Sequence, residues 1–269
     1  MARDGQRAIF RALGAALALS AATQAQAQAQ ADPICADRPG KAFAPCTAPR
    51  GTWQLETDLY DQTWDRSGGG TIVTTLYSNP TLKFGLTDHL DIEAALTPYQ
   101  RVRTRDGQTG AVGRASGPGD LTLQAKFALS PSVALMPFVT APTATRGLGA
   151  GGWEGGVRAP AQLMLSQDWS IGMTAEVDVA RGGGAGGTHL ETAEAVGLTR
   201  QLPHGLSLGA EVWGDWDLER SGQTQASFDL MAAWIPPTRQ DFQLDMQVNL
   251  PLNRRTPDLQ LAVGVAHRF

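Results

Sequence analysis

The C-terminal segment alternates between apolar and polar side chains. From Pro257 to Phe269 nearly every odd position is apolar, and the even positions are small or polar. A period of two marks a β-strand whose two faces meet different surroundings. In a transmembrane barrel those surroundings are lipid on one face and the lumen on the other. A last strand that ends in Phe is typical of outer-membrane barrels, and the edge strand of a soluble β-sandwich is the alternative.

Segments of about ten residues with the same alternation recur along the chain, and this is the length that a tilted transmembrane strand requires. The pattern is clearest from Trp169 to Val177 and from Phe242 to Leu250. Helices do not produce a period of two. The sequence therefore predicts an all-β chain, folded as a single antiparallel transmembrane β-barrel of about 12 strands. The predicted strands are 52–62, 71–84, 89–97, 119–129, 132–140, 153–165, 168–179, 188–201, 205–217, 223–235, 240–250 and 257–269.

One predicted strand is less regular than the others. Glu194 falls among the apolar positions of 188–201, which leaves the register of that strand open. Aromatic residues lie near the ends of the predicted strands, where the interfacial girdles of a barrel are found. These girdle candidates are Trp53, Trp64, Trp153, Trp169, Trp216, Trp234 and Phe269.

The connections between the predicted strands alternate in length. The short ones are 85–88, 130–131, 166–167, 202–204 and 236–239, and the long ones are 63–70, 98–118, 141–152, 180–187, 218–222 and 251–256. Bacterial outer-membrane barrels have short turns on the periplasmic side and longer loops outside. The alternation favours such a barrel over a sandwich, in the outer membrane of a Gram-negative-type bacterium.

The N-terminus has the features of a secretory signal peptide. Three Arg residues precede an apolar run of about 11 residues, 12–22, and an Ala/Gln string follows at 25–31. That run is shorter than the roughly 20 residues of a transmembrane helix. We predict a signal peptide over 1–31, cleaved within 25–31, then a periplasmic segment over 32–51 and the barrel over 52–269. Removal of three Arg and one Asp changes the net charge of −4 to about −6, which argues against a nucleic-acid partner.

The two cysteines, Cys35 and Cys46, follow the predicted signal peptide closely. An exported protein enters an oxidising compartment, so a disulfide between them is expected. Two free thiols are one alternative. A lipid anchor on Cys35 is another, but Asp32 and Pro33 stand where small apolar residues precede a lipidated Cys.

The polar face of the predicted strands carries many more acids than bases. If the apolar positions face lipid, the lumen receives twelve carboxylates and three basic side chains. Charges without partners or water are costly to bury, so the lumen must be hydrated, some acids must be protonated, or further bases must reach in. The lumen candidates are Glu56, Asp58, Asp91, Glu93, Asp120, Glu176, Asp178, Glu211, Asp215, Asp229, Asp241 and Asp245, with Lys83, Lys126 and Arg158. Bulky side chains predicted to point inward and narrow the path are Tyr60, Tyr77, Phe138, Met164 and Trp213.

The sequence contains no motif for catalysis or for binding a metal. Of the four His residues, only His189, close to Glu191 after a long loop, resembles a catalytic placement, and no Ser motif accompanies it. No His, Cys and carboxylate spacing of a zinc or calcium type occurs. We expect no enzyme activity, no cofactor and no metal. The expected partners are outer-membrane lipid, the barrel-assembly machinery and a small-molecule solute.

Several phrases resemble one outer-membrane protein family, which is associated with the meta-cleavage pathway of phenol degradation. They occur in the family's order and are 37–40, 79–93, 119–127, 137–143, 243–245 and the terminal Arg268-Phe269. Ala144 is a departure, because the family tends to have Gly after the Pro-Thr pair. The resemblance implies a single membrane barrel that takes up hydrophobic or aromatic compounds. A passive channel is the expected function; a non-conducting adhesive or ligand-binding barrel and a barrel enzyme are the alternatives.

Overall fold

The computed structural model describes residues 32–66, 69–181, 187–219 and 224–269. The predicted signal peptide lies outside these residues, as do parts of three long loops. The described residues form β-strands and a 3₁₀ turn at Pro203–Gly205, and none of their helices is long and apolar enough to span a membrane. The strands are β1 Trp53–Asp65, β2 Thr71–Ser78, β3 Thr81–Thr87, β4 Leu90–Leu96, β5 Tyr99–Arg105, β6 Val112–Gly117, β7 Leu121–Ser130, β8 Val133–Ala141, β9 Glu154–Met164, β10 Trp169–Arg181, β11 Thr188–Gln201, β12 Leu206–Asp217, β13 Thr224–Trp234, β14 Phe242–Pro251 and β15 Leu259–Arg268.

All the strands belong to one antiparallel sheet that closes on itself, because β15 pairs with β1. Fifteen segments make a barrel of twelve strands, since β2 with β3, β4 with β5, and β6 with β7 are successive parts of three long strands. Each long strand is interrupted at a Pro: Asn79-Pro80, Thr97-Pro98 or Pro118-Gly119. Proline has no N–H to donate to a ladder, so regular pairing lapses there. The predicted barrel of about 12 strands is confirmed.

The connections divide the barrel into two ends. Tight turns at 88–89, 131–132, 165–168, 202–205 and 235–241 form the tight-turn end, which also carries Trp53 and Phe269. The longer connections form the loop end. This alternation was predicted, but the predicted loop 98–118 is wrong, because it contains β5 and β6. These two strands extend the sheet at the loop end, where both faces carry many polar or small side chains and the alternation fades.

The two faces of the barrel have opposite polarity. Large apolar side chains such as Leu208, Val212 and Val263 are exposed on the outside, whereas buried side chains are mostly polar and point inward. This is the reverse of a soluble domain and suits a wall between lipid and a polar lumen. The pairing also fixes the register of β11. Glu194 is paired with Ala175 and with Gly214, on the outward face.

The prediction that Tyr60 and Tyr77 point inward is wrong. A register shift between Asp58 and Tyr60 inserts an extra residue into β1 and reverses the faces of the residues that follow. Both tyrosines are exposed on the outside, with ring centroids 6.3 Å apart. Tyr77 also lies 5.7 Å from the ring of Tyr99. The three rings form an aromatic row on the lipid-facing surface.

Closure of the barrel depends in part on the last residue. The Phe269 N–H donates to the Trp53 carbonyl at 2.8 Å, and the Trp53 N–H donates to the Phe269 carbonyl at 3.0 Å. We expect deletion of Phe269 to lower the amount of heat-modifiable barrel in the membrane, because both bonds are lost. Phe269→Ala keeps the backbone and is expected to have a smaller effect. Unchanged folding of the deletion, measured by electrophoretic mobility before and after heating, would contradict this account of closure.

Candidate functional site in the barrel lumen

A disulfide-closed loop lies among the inward-facing side chains of the barrel. Cys35 and Cys46 are bonded, with their Cα atoms 6.0 Å apart, so the predicted disulfide is confirmed. We call residues 35–46 the plug loop. It is anchored at the tight-turn end, where the Ile34 N–H donates to the Gln240 carbonyl and the Thr47 hydroxyl donates to the Asp88 carbonyl.

Asp37 of the plug loop joins two lysines of the barrel wall. Its carboxylate accepts hydrogen bonds from Lys83 at 2.5 Å and from Lys126 at 2.6 Å. Both lysines are buried and also face Glu93. Burial alone would raise the pKa of Asp37, but Lys126 and Lys83 outweigh it, and the pKa lies below the ordinary 3.8. The two ammonium groups therefore favour the ionised form of Asp37, which is the form that accepts their hydrogen bonds.

Arg38 of the plug loop supplies the opposite charge to two wall carboxylates. Its guanidinium lies 2.7 Å from Asp58 of β1 and 2.9 Å from Asp245 of β14. The Asp245 side chain is fully buried, and Gln243 donates both to Asp245 and to the Arg38 carbonyl. Charge-assisted bonds of this kind are short and directional, so they fix the position of the loop between the two strands.

The next part of the plug loop contacts β12 and β13, which lie across the lumen from the strands β3 and β7 that carry the two lysines. Lys41 binds Asp229 of β13, and the backbone N–H groups of Lys41 and Ala42 donate to Glu211 of β12, each at 2.8 Å. Gly40 has a φ of +92°, and a Cβ there would collide with the sulfur of Met231. Only glycine adopts this conformation freely, so the turn that aims Lys41 depends on it.

Aromatic rings and cations pack together beside the plug loop. Arg158 of β9 lies over the ring of Phe138 at 3.9 Å and near Phe43 of the plug loop at 5.2 Å. It also binds Glu176 at 2.7 Å. The Lys41 ammonium lies 4.9 Å from the ring of Trp213. Phe138 and Trp213, predicted as bulky lumen residues, thus hold the plug loop against the wall.

The wall itself has an interruption at β8. Pairing between β7 and β8 lapses between Gln124↔Phe138 and Phe127↔Leu135, and Pro137, which has no N–H, lies in that gap. On the other side of β8, pairing with β9 lapses next to Pro160.

An apolar cavity of about 740 Å³ lies at this interruption. Outward-facing side chains form most of its lining, among them Trp53, Ile92 and Ala125. Three inward-facing residues, Glu93, Gln124 and Phe138, also line it. The cavity therefore lies on the outer face of the wall, at the gap in the ladder between β7 and β8.

A second polar cluster lies at the loop end. His189 Nε2 is 2.5 Å from Glu191 Oε1 and 3.5 Å from Asp217 Oδ2, and the three donor groups lie within 4.8 Å of one another. Such a set has the composition to hold a divalent cation, although its contacts are those of a His–carboxylate ion pair. The structure places His189 on β11, within the predicted strand 188–201, and buries it.

The remaining predicted lumen residues fall into two groups. The inward positions of the strands carry Glu56, Asp58, Lys83, Asp91, Glu93, Lys126, Arg158, Glu176, Asp178, Glu211, Asp215, Asp229 and Asp245. Two acids lie elsewhere. Asp120 is at the loop end, where it accepts from the amides of Ala144 and Ala150. Asp241 differs from the expectation, because it lies before β14 at the tight-turn rim and pairs with the exposed Arg239.

Sequence reasoning missed the plug residues Asp37, Arg38 and Lys41 as parts of this site. The excess of twelve acids over three bases had indicated a hydrated lumen, protonated acids, or further bases that reach in from the loops. The plug loop brings Arg38 and Lys41, and its one acid binds the two wall lysines. The charge excess was therefore a signal in the sequence, but it does not point to the segment before the first strand.

The sequence of residues 36–269 matches the family model described as "Putative MetA-pathway of phenol degradation". The chain belongs to this family. The match covers the plug loop from its second residue and the whole barrel, so the resemblance noted in the sequence is confirmed. No protein of curated function matches the sequence.

Solved structures confirm the outer-membrane type of the barrel. An outer membrane channel from Pseudomonas putida F1 superposes with a TM-score of 0.67 at 19% identity, over 86% of this chain and 99% of that chain. The translocator domain of the autotransporter NalP from Neisseria meningitidis gives 0.56 at 13% identity, over 81% and 89%. The beta domain of the Bordetella autotransporter BrkA gives 0.53 at 12% identity, over 82% and 100%. At these identities the likeness concerns the fold.

We expect Arg38→Met to lower the temperature at which the folded barrel unfolds in detergent. The substitution keeps an unbranched side chain but leaves Asp58 and Asp245 without their cation. Breaking a buried pair costs about 3–5 kcal/mol, and less where water reaches the lumen. Adding Asp245→Asn to this variant is expected to restore part of the loss. Arg239→Met, which breaks an exposed pair, is the control and is expected to change little. Equal unfolding temperatures for the two single variants would contradict the role of Arg38.

Proposed function

We propose that the protein is a passive outer-membrane channel for small molecules, hydrophobic and aromatic compounds among them, whose central path is narrowed by the plug loop. The observation that carries this proposal is the plug loop itself. It bonds to β1, β3, β7, β12, β13 and β14, on opposite sides of the lumen. A polar lumen crossed by a bonded segment suits controlled passage of solutes. The likeness to the Pseudomonas putida protein, which is described as an outer membrane channel, supports the same function.

The apolar cavity beside Pro137 supports a second part of the proposal. A hydrophobic solute gains little from a lumen lined by carboxylates, whereas an apolar cavity at the wall offers it contacts that replace water. The strands bordering the cavity lack part of their ladder at Pro137, so the wall is weakest where the cavity lies. We infer that apolar solutes pass between the lumen and the membrane there. The family's link to phenol degradation agrees with an aromatic solute.

Under the same proposal, the protein conducts solutes and catalyses no reaction. The charged groups around the plug loop are engaged in ion pairs and backbone hydrogen bonds, which position the loop. A non-conducting adhesive barrel remains the competing function, and conductance separates the two.

We expect the double variant Cys35→Ser/Cys46→Ser to conduct more than the wild type in planar bilayers. Opening the closed loop increases its conformational freedom when it leaves the wall, so release becomes more frequent. A reductant added to the wild type is expected to have the same effect, and the double variant, which has no disulfide, is the control for the reductant. The plug loop carries two bases and one acid, so its release leaves a more acidic lumen, and the added current should prefer cations. Anion preference, or no conductance in any of these proteins, would contradict the channel proposal.

We expect Ala125→Trp to slow the uptake of toluene by cells and to leave ion conductance unchanged. Ala125 lines the apolar cavity, and an indole at this position fills part of it without entering the lumen. Ala210→Trp, an outward position of β12 away from the cavity, is the matched control. Uptake is measured with labelled toluene at equal protein levels. Equal rates in the two variants would argue against passage at the wall and leave the conductance result unaffected.

A further inference from the structure

Four arginines share one exposed face of the sheet at the loop end. Arg101, Arg103 and Arg105 alternate along β5 and therefore point to the same side. Arg114 on β6 is directly paired with Arg103, which adds it to that side. All four side chains are exposed. We call Arg101, Arg103, Arg105 and Arg114 the arginine face.

The arginine face points outward, away from the lumen. Arg101 is paired with Thr75, which has the same orientation as Tyr77 two residues later on β2. Tyr99 precedes Arg101 by two residues on β5, so its ring lies on the same side. The rings of Tyr60, Tyr77 and Tyr99 form the aromatic row on the lipid-facing surface.

The aromatic row sets the level of the arginines relative to the membrane. Tyrosine and tryptophan are enriched where hydrocarbon meets headgroups. Two residues along a strand span about 7 Å, so Arg101 to Arg105 lie roughly 7–20 Å from Tyr99 along β5. Because the strand is tilted, their height above Tyr99 along the membrane normal is smaller than these lengths. This places the arginine face among the headgroups of the outer leaflet, because the loop end is the external end of such barrels.

The arginine face has an uncompensated positive charge. The Arg–carboxylate ion pairs found in the described part of the chain involve Arg38, Arg66, Arg158 and Arg239, and none of the four. The nearby carboxylate of Asp106 accepts bonds from Gln108 and Thr109 in the turn between β5 and β6. Like charges directly opposite each other, as at Arg103 and Arg114, destabilise a sheet. An anion bound between them would remove this cost.

We propose that the arginine face binds the phosphate groups of a phosphorylated glycolipid of the outer leaflet, of the lipopolysaccharide type. Guanidinium groups bind phosphate through two parallel N–H···O bonds, and several in a row suit a headgroup with more than one phosphate. The aromatic row directly below contacts the start of the acyl chains. Charge and level in the membrane thus point to the same ligand, independently of what the lumen conducts.

The test is the affinity of the barrel for lipid A. The exported chain is refolded in detergent free of glycolipid and titrated with diphosphoryl lipid A, and bound lipid is counted by native mass spectrometry. The triple variant Arg101→Gln/Arg103→Gln/Arg114→Gln is expected to bind about 100-fold more weakly, from about a fivefold loss for each basic residue near a charged surface. The control triple, Arg146→Gln/Arg254→Gln/Arg255→Gln, makes the same change of charge on other exposed loops and is expected to stay within a few-fold of the wild type. Heat-modifiability confirms that both triples are folded.

Two further arms identify the ligand. Wild-type protein is expected to bind dephosphorylated lipid A as weakly as the first triple binds the diphosphoryl form. Millimolar inorganic phosphate is expected not to displace the lipid, because it lacks the acyl chains that contact the aromatic row. The proposal is overturned if the two triples bind lipid A equally, if removal of the phosphates does not weaken binding, or if free phosphate competes fully, which would indicate a simple anion site.

Discussion

The carboxylates that point into the barrel constrain much of the rest of the structure. A charge in that confined space needs an opposite charge, a hydrogen-bond donor or water within reach, because leaving it without any of them costs several kcal/mol, roughly. The wall places Asp58 and Asp245 close together and, on another side, the lysines Lys83 and Lys126. The plug loop carries the complement to each pair: Arg38 for the acids and Asp37 for the lysines. The position of the loop in the lumen follows from this matching of charge.

Ion pairs of this kind specify a position more than they add stability. Their Coulomb attraction largely offsets the cost of taking the partners out of water, so an apolar contact of the same size is often as stable. An apolar loop in an apolar lumen, however, has many equivalent positions. The acids and bases of the plug loop and the wall allow few positions, because a displaced loop would bring like charges together. The turn at Gly40 and the disulfide limit the conformations further.

The strands could be predicted because lipid and a polar lumen impose opposite demands on alternate residues. Where only one of those demands acts, prediction failed. Residues Tyr99–Arg105 and Val112–Gly117 carry many polar or small side chains on both faces, so the pattern of these residues predicted a loop. Tyr60 was placed in the lumen because nothing in the sequence marks the extra residue in β1 that reverses its direction.

The site was harder to predict, because it depends on contacts between segments far apart in sequence. The inward acids and lysines followed from the strand pattern, and the disulfide from the compartment. The ion-pair partners of those charges could not be predicted from the strand pattern, because Arg38 and Asp245 are 207 residues apart in the sequence. The imbalance of charge on the inward face left water, protonation and further bases as alternatives, and it did not show which segment would supply such bases. The apolar cavity also lies at Pro137, whose effect on the pairing of β7 with β8 appears only when the strands are aligned.

If the plug loop is released, as proposed, the charges that hold it also ease its release. As the loop leaves the lumen, water takes its place, and the carboxylates of Asp58 and Asp245 exchange a guanidinium for hydration. The cost of release is then well below that of stripping a cation from a dry interior, where the orphaned charges stay without solvent. An apolar plug would expose its own surface and that of the wall at the same time, and the cost would grow with the area uncovered. A polar lumen with a charged plug therefore opens more easily than a hydrophobic one of equal contact area, and the disulfide keeps the released loop compact enough to return.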